Sequence, residues 1–386
     1  VAKKHSSSAS ELDVRMETLR SVVSEINKEF KQSVASLAHD GLRGDVQGFV
    51  PTGLLMLDLI LHGGVPLGRM IEISGRPGMG KSTLAAHILA NCQKMGGTAI
   101  VLDSENSWTT ERVKELGLNA SALIQFEART VEEGFSLIDA TLQKLEKLNS
   151  KGKEKPPVVI VWDTIAASPC SRDIDPDRAG TAMDKPRAIH IGIKKIYDTL
   201  RESRASLVFI NQIITKMSSF GGPTDETPGG WGIKFGVSQA IRLGTVANGK
   251  IVVAGEHVGN IVKAKITKNK IPGERAKDFE ARIPLLFEGG FNDDIANLFF
   301  LAEGQAMSGS SSKKLGGDCE YLQKQTRGIY SAVYNEEELK FRPLGFPAVL
   351  DTHDGMREWL MEMVKDRFLK PSKTLSEMAS EEEAES

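Results

Sequence analysis

Gly75-Arg76-Pro77-Gly78-Met79-Gly80-Lys81-Ser82 lies between an apolar run, Met70–Ser74, and a helical pattern, Lys81–Met95. No other stretch of the chain restricts its fold as much. The spacing G-x-x-x-x-G-K-[ST], entered from a strand and left by a helix, builds a loop whose glycines let backbone N–H groups point inward around phosphates. The helix N-terminus adds a favourable dipole. Lys81 is expected to reach β- and γ-phosphates, and Ser82 to offer its hydroxyl to Mg²⁺. The segment Gly75 to Thr83 therefore predicts a nucleoside triphosphate site, with ATP the expected ligand.

The runs Thr98–Leu102, Val158–Trp162 and Leu207–Ile210 have strand length, and helical patterns at Val131–Leu148 and Ile189–Arg201 lie between them. On the first helix Leu84, Ile88 and Leu89 face inward, and Gly96-Gly97 stops it. Strands alternating with helices predict an α/β fold with a mostly parallel sheet covered on both faces. Beyond about Gly230, the strands Ile241–Val246, Ile251–Val253 and Asn260–Thr267 follow one another without helices, which predicts an antiparallel extension at one side.

Near the start, Leu12, Met16, Leu19, Val23, Ile26 and Phe30 form one narrow apolar stripe on a helix. Such a stripe packs on another helix, on a partner surface or on the helix's own core. The expected organisation is disorder at 1–10, this helix and a linker at 11–48, an ATPase core at 49–304 and a Gly/Ser/Lys linker at 305–317. A small domain at 318–370 follows, ending in an amphipathic helix with Met356, Trp359, Leu360, Met363, Val364 and Phe368 on its apolar side. The tail at 371–386 should be disordered, since from Glu377 onward it carries five glutamates and no basic residue.

A net charge of −2 over 386 residues excludes a globally basic nucleic-acid binder but not a local basic track. Cys92, Cys170 and Cys319 stand far apart, which argues against a zinc ribbon or a disulfide framework and fits a reducing compartment. The polar start, Val1 to Ser10, has no apolar segment of a secretory signal, and no run approaches the ~20 residues of a membrane span. A cytoplasmic protein with no membrane partner is expected.

Asp163 ends the apolar run Val158–Trp162, where an acid beside the phosphate loop is placed to hold the Mg²⁺ shell. Glu105 and Asp103 both follow the strand at Thr98–Leu102. Either carboxylate is placed to orient an attacking water, and the residues alone do not choose between them.

These motifs, with Pro51-Thr52-Gly53-Leu54-Leu55-Met56-Leu57-Asp58 and Gly64-Val65-Pro66-Leu67-Gly68-Arg69 ahead of the loop, resemble the RecA-like homologous recombinases from Thr52 to about Glu303. The resemblance implies a RecA-like P-loop ATPase core, and it puts the family's catalytic carboxylate on Glu105. It matches Asn211-Gln212 to the γ-phosphate sensor, with Gln212 linking ATP to the DNA loop that follows. That loop, Ile213 to Pro228, holds Lys216, Phe220, two glycines and Thr227, and is expected to lack regular structure. It returns through Gly229-Gly230-Trp231-Gly232-Ile233-Lys234-Phe235. A mobile glycine-rich loop with a cation and an aromatic can meet both phosphate and an unstacked base.

The segment Ser168 to Arg187 stands where the family keeps its other DNA-binding loop, with Arg178, Met183 and Arg187 as candidate contacts. Lys268 and Lys270, two apart on an extended segment, face the same side. By pattern alone they are a solvated cationic strand end; in the family such lysines cross the subunit interface to a neighbour's γ-phosphate. Arg112 replaces the aromatic that commonly stacks on adenine. A guanidinium can also stack on a base, and Trp108 is close enough to substitute.

After Gln305 the likeness to the bacterial proteins is poor. The implied activity is a DNA-dependent ATPase that forms a helical filament on single-stranded DNA and pairs it with homologous double-stranded DNA. A hexameric helicase or branch-migration motor on the same core, and an ATP-binding paralogue without turnover, are the alternatives.

Overall fold

Continuous runs of Val, Ile and Leu can be buried only if both faces of the strand are covered, and that requirement organises the molecule. The computed structural model describes residues 6–369 except 32–34, 39–41, 43, 150–154, 175–180, 182, 219–221, 227–229, 254, 272–279, 304–305, 309–312, 316–318 and 326–328. The chain divides into two compact units, Val1–Gln47 and Gly48–Ser386.

The first unit contains α1 (Ser6–Glu29), which begins earlier than the apolar stripe suggests. Met16, Val23 and Ile26 are half-buried along it, whereas Leu19 and Phe30 are exposed. The Asn27 amide donates to the Ala35 carbonyl and accepts from the Ala35 N–H, folding the chain back past the helix end.

The second unit runs β1 (Phe49–Val50), α2 (Leu55–Ile60), β2 (Val65–Pro66), β3 (Met70–Gly75), α3 (Lys81–Lys94), β4 (Thr98–Asp103), α4 (Thr110–Glu115), β5 (Leu123–Phe126), α5 (Val131–Asn149) and β6 (Val158–Asp163). It continues with α6 (Asp184–Glu202), β7 (Ala205–Gln212), β8 (Ile214–Ser218), β9 (Gly222–Glu226), α7 (Gly230–Gly236), β10 (Gln239–Val253), β11 (Glu256–Asn269), β12 (Glu280–Leu286), β13 (Gly290–Phe291) and α8 (Asp293–Glu303). Then come β14 (Ala306–Ser308), β15 (Lys313–Leu315), β16 (Leu322–Lys324), β17 (Tyr330–Tyr334), β18 (Glu337–Phe341), α9 (Phe346–Thr352) and α10 (Met356–Leu369).

The main sheet has the order β15-β14-β12-β11-β10-β3-β7-β6-β4-β5, with β13 paired to β12. From β10 to β5 every pairing is parallel, and from β10 to β15 every pairing is antiparallel. The fold is the expected α/β core with an antiparallel extension. Alternate strand residues divide between two hydrophobic layers. Ile73, Val101, Val161 and Ile210 pack with α3, while Met70, Leu102, Trp162 and Phe209 pack with α5 and α6. In the second layer Phe135 meets Trp162 edge-on at 5.1 Å between centroids. A Cβ on Gly192 would lie 2.1 Å from the Phe135 ring, so α6 can approach α5 only with glycine there.

Two strands of the main sheet differ from the sequence pattern. The stretches read as separate strands at 241–246 and 251–253 are one strand, β10. A register shift between Thr245 and Lys250, with Asn248 at φ 56, absorbs the polar residues as a bulge while pairing to β11 continues. The edge strand β5 shows no buried run, because all four of its residues keep solvent contact. At the C-terminal end, Phe346 and Leu350 of α9 and Met356, Leu360 and Val364 of α10 enter the same hydrophobic cluster as α2, α3 and α8.

Two half-buried acids brace the start of α2, and one of them, Asp293, ties it to the start of α8. Asp293 accepts the Leu55 N–H (2.7 Å) and the Asn297 amide (3.0 Å). Asp58 accepts from the N–H and hydroxyl of Thr52, both at 2.7 Å. Burial pushes Asp293 up to about 7 and Asp58 to about 6. A carboxyl raised by folding stabilises the native state at low pH, and that contribution is lost as pH rises through the folded-state value. Asp293→Asn preserves the acceptor for Leu55, and a turned Asn297 amide can accept the new N–H. It is expected to raise stability at pH 8 by about 1–3 kcal/mol and to change it little at pH 3, below the carboxyl's unfolded-state value. Thermal melts at the two pH values check this; an equal shift at both rejects the assignment.

Candidate nucleotide site at the strand ends

Four adjacent parallel strands end on the same edge of the sheet, β3 and β7 two residues beyond β6 and β4. Gly75 at the end of β3 lies opposite Gln212 of β7, and Asp103 of β4 lies opposite Asp163 of β6. The loop leaving β3 turns through Gly78 and Gly80, at φ 76 and 79. A Cβ on Gly80 would also come within 2.8 Å of Leu285, so glycine is required there for conformation and for space. Lys81 opens α3 and is buried, donating from Nζ to the Arg76 carbonyl at 3.1 Å. Burial lowers its pKa, opposed by the charges of Asp163 and Glu105.

The Ser82 hydroxyl donates to Asp163 Oδ2 at 2.6 Å, and Asp163 is 1% exposed. Burial raises the Asp163 pKa, while hydrogen bonds from Ser82 and Trp108 pull it back. A hydroxyl and one carboxylate are hard oxygen ligands, and they suit Mg²⁺, which completes its shell with phosphate oxygens and water. Among the described residues no group of three or more His, Cys, Asp or Glu gathers to hold a metal.

Asp103 and Glu105 do different things. The Asp103 oxygens accept the backbone N–H of Glu105 (3.2 Å) and of Trp108 (3.0 Å), which shapes the turn after β4. Glu105 Oε1 instead accepts from the Thr164 hydroxyl (2.8 Å) and the Gln212 amide (3.1 Å). Thr164 did not stand out in the sequence; its only signal is that it follows Asp163. The sequence suggests only base stacking for Trp108, yet its indole N–H donates to Asp163 Oδ2 at 2.9 Å.

Asn211 and Gln212 are neighbours on a strand and face opposite ways. Asn211 is fully buried and donates to Glu72 at 2.9 Å, so its amide belongs to the core, and only Gln212 turns to Glu105. Burial raises Glu72, opposed by the Asn211 bond and the charges of Lys234 and Lys268. Lys268 and Lys270 do converge: Lys268 donates to the Lys234 carbonyl and Lys270 to that of Phe235 at 3.2 Å, both at the C-terminal end of this chain's own α7. Burial, with the charge of Lys270, brings Lys268 down to about 8.

Arg112 pairs with Glu115 (2.8 Å) and reaches the Phe287 carbonyl (3.4 Å). With Ser82, Thr83, Trp108 and Val113 it lines a cavity of about 170 Å³. A larger cavity of about 390 Å³ on the other side of the loop brings together Arg76, Met79, Arg242, Lys263 and Lys265. Its cations come from three separate segments, so no sequence pattern unites them.

The expected DNA contacts are only partly in view. Arg178, Phe220 and Gly229 lie outside the described residues. Met183 is exposed just before α6, and Arg187 is exposed in the first turn of that helix. Gly230 opens α7. The segment expected to be without structure carries a hairpin, β8–β9, in which Lys216 stands opposite Thr224. No helix among the described residues is long and apolar enough to cross a membrane.

The family model of the RecA N-terminal domain matches residues 17–292. The chain belongs to the RecA family. Protein RecA of Arthrobacter sp. (strain FB24) is 31% identical over 262 residues, covering 67% of this chain and 70% of that protein. Protein RecA of Francisella tularensis subsp. novicida (strain U112) is 32% identical over 266 residues, covering 68% and 70%. The family match of this RecA-like chain ends immediately before α8.

The different environments of Asn211 and Gln212 are testable. Asn211→Ala leaves the buried Glu72 without its amide and is expected to cost about 1–3 kcal/mol of stability. Gln212→Ala is expected to stay within about 0.5 kcal/mol. Denaturant unfolding of the two variants measures both; equal losses contradict the division.

Proposed function

We propose that this RecA-family chain is a DNA-dependent ATPase that polymerises as a helical filament on single-stranded DNA and promotes pairing and strand exchange with homologous double-stranded DNA, in the cytoplasm. The observation that carries this reading is the hydrogen bond from Gln212 to Glu105. Gln212 is the last residue of β7, and the chain runs directly from it into the β8–β9 hairpin. The hairpin therefore begins two residues beyond the Gln212 side chain that donates to the carboxylate assigned to catalysis.

In this mechanism Gly75, Arg76, Pro77, Gly78, Met79 and Gly80 wrap the triphosphate with backbone N–H groups, and Thr83 continues that lining into α3. Lys81 binds its terminal phosphates, and Arg112 borders the base. Ser82 and Asp163 would hold Mg²⁺, which would neutralise charge on the phosphates. Glu105 takes a proton from the attacking water, and Thr164 and Gln212 orient that carboxylate. Lys268 and Lys270 act across a subunit interface on a neighbour's γ-phosphate, steadying the charge that develops there. Self-assembly and ATP binding are then coupled, because ATP favours the state in which two subunits share it. Arg178, Met183, Arg187, Lys216, Phe220, Gly229 and Gly230 are the proposed DNA contacts.

Glu105→Gln retains an oxygen to accept from Thr164 and Gln212 but loses basicity. ATP and DNA binding are expected to persist while turnover falls about 10²–10⁴-fold; near-normal ATPase rejects Glu105 as the base. Lys268→Ala with Lys270→Ala is expected to lower ATPase only when subunits are assembled on DNA. An equal fall in the isolated subunit means the lysines act in cis. Electron microscopy with single-stranded DNA and a slowly hydrolysed ATP analogue tests the assembly: filaments are expected, and closed rings overturn it in favour of a motor.

A further inference from the structure

Asp163 is 1% exposed, so its carboxylate depends on protein donors where water cannot reach. Two donors meet the same oxygen, Oδ2: the Ser82 hydroxyl at 2.6 Å and the Trp108 indole N–H at 2.9 Å. They are not equivalent. A serine hydroxyl rotates and can donate or accept, whereas an indole nitrogen only donates. The indole is also held at its other end, because the Trp108 backbone N–H donates to Asp103 Oδ2 at 3.0 Å. Asp103 and Asp163 are register partners on β4 and β6. Trp108 therefore links the two acids at the ends of neighbouring strands, and its half-buried ring packs against the hydrophobic cluster beneath.

We propose that Trp108 is a positioning residue for the Mg²⁺ site: its indole N–H fixes the orientation of the Asp163 carboxylate and so sets how strongly the site couples metal to nucleotide. The inference rests on the assignment of Asp163 and Ser82 to Mg²⁺. The indole occupies one lone-pair direction of Oδ2 and limits rotation of the carboxylate about its Cβ–Cγ bond. The Ser82 oxygen then keeps its lone pairs free for a cation while its O–H donates to Asp163. Trp108 also lies three residues from Glu105 on the turn that Asp103 shapes, so the metal ligand and the proposed base share one support. This role is distinct from stacking on the base. A stacking residue acts on the nucleotide whether or not metal is present, while a residue acting through Asp163 acts only with metal.

The test is the affinity of the full-length chain for ADP in excess Mg²⁺ and in excess EDTA, measured by calorimetry without turnover. Trp108→Phe retains an aromatic ring and removes the donor. It is expected to leave the affinity in EDTA unchanged and to weaken the affinity in Mg²⁺ roughly 3- to 10-fold, less than the full worth of one hydrogen bond to a charged group because the loss reaches the nucleotide only through the metal. Replacement of Trp108 by 3-benzothienylalanine, which has the shape of tryptophan without the N–H, should do the same and removes any doubt over folding. In an Asp163→Asn background, Trp108→Phe should add little, since the two changes break one interaction. Equal weakening with and without Mg²⁺ makes Trp108 a base-stacking or packing residue and overturns the proposal. An unchanged Mg²⁺ effect in Trp108→Phe does the same if Asp163→Asn abolishes that effect. If Asp163→Asn itself leaves the Mg²⁺ effect intact, the metal assignment fails first, and the Trp108 role fails with it.

Discussion

The register of the parallel strands β3, β7, β6 and β4 is the constraint on which everything else depends. These strands are buried on both faces, so a slip of one residue would exchange the layer packed on α3 for the layer packed on α5 and α6. Trp162, Phe135 and Phe209 fit only one side, and Gly192 admits only one approach of α6. The register that satisfies this packing also sets Asp103 beside Asp163 and Gly75 beside Gln212. The polar site is thus a by-product of apolar packing carried out to the last residue of each strand.

Around those ends the polar groups form two separate systems that meet at β7. On one side Asp163, Ser82, Trp108, Glu105, Thr164 and Gln212 surround the phosphate loop. On the other, Glu72 and Asn211 are buried near Lys234 and Lys268, and the two lysines of β11 and its exit end on α7 carbonyls. The C-terminal end of a helix carries partial negative charge, which favours ammonium groups there. Since α7 follows the β8–β9 hairpin, the hairpin is connected to both systems: through Gln212 where the chain enters it and through α7 where the chain leaves.

Much of this was legible in the residue order. The strand–loop–helix around Gly75–Ser82 is recognisable because its chemistry is local: glycines at left-handed positions, a lysine and a hydroxyl within one turn. The apolar runs of the core strands are recognisable because burial on both faces leaves no alternation to blur them. Asp163 could be named because it ends such a run, whereas Asp103 and Glu105 both follow one, and only the resemblance to the RecA-like recombinases chose Glu105. By contrast, β5 is short and half-exposed, and β10 carries a bulge that reads as a gap. The Arg76, Arg242, Lys263 and Lys265 cavity draws its charges from three distant segments.

The sequence by itself therefore determined the α/β architecture, the phosphate loop and the identity of the acids, because each follows from the composition of a contiguous stretch. Only the tertiary structure decided what those acids contact. Asp103 and Glu105 are two residues apart and chemically alike, yet the first is consumed by backbone N–H groups and the second faces Thr164 and Gln212. Trp108 is tied to Asp163, and Asn211 is turned into the core toward Glu72. A side chain's role depends on which partner it meets, and partners 55 to 139 residues away are brought within reach only when the strands pair.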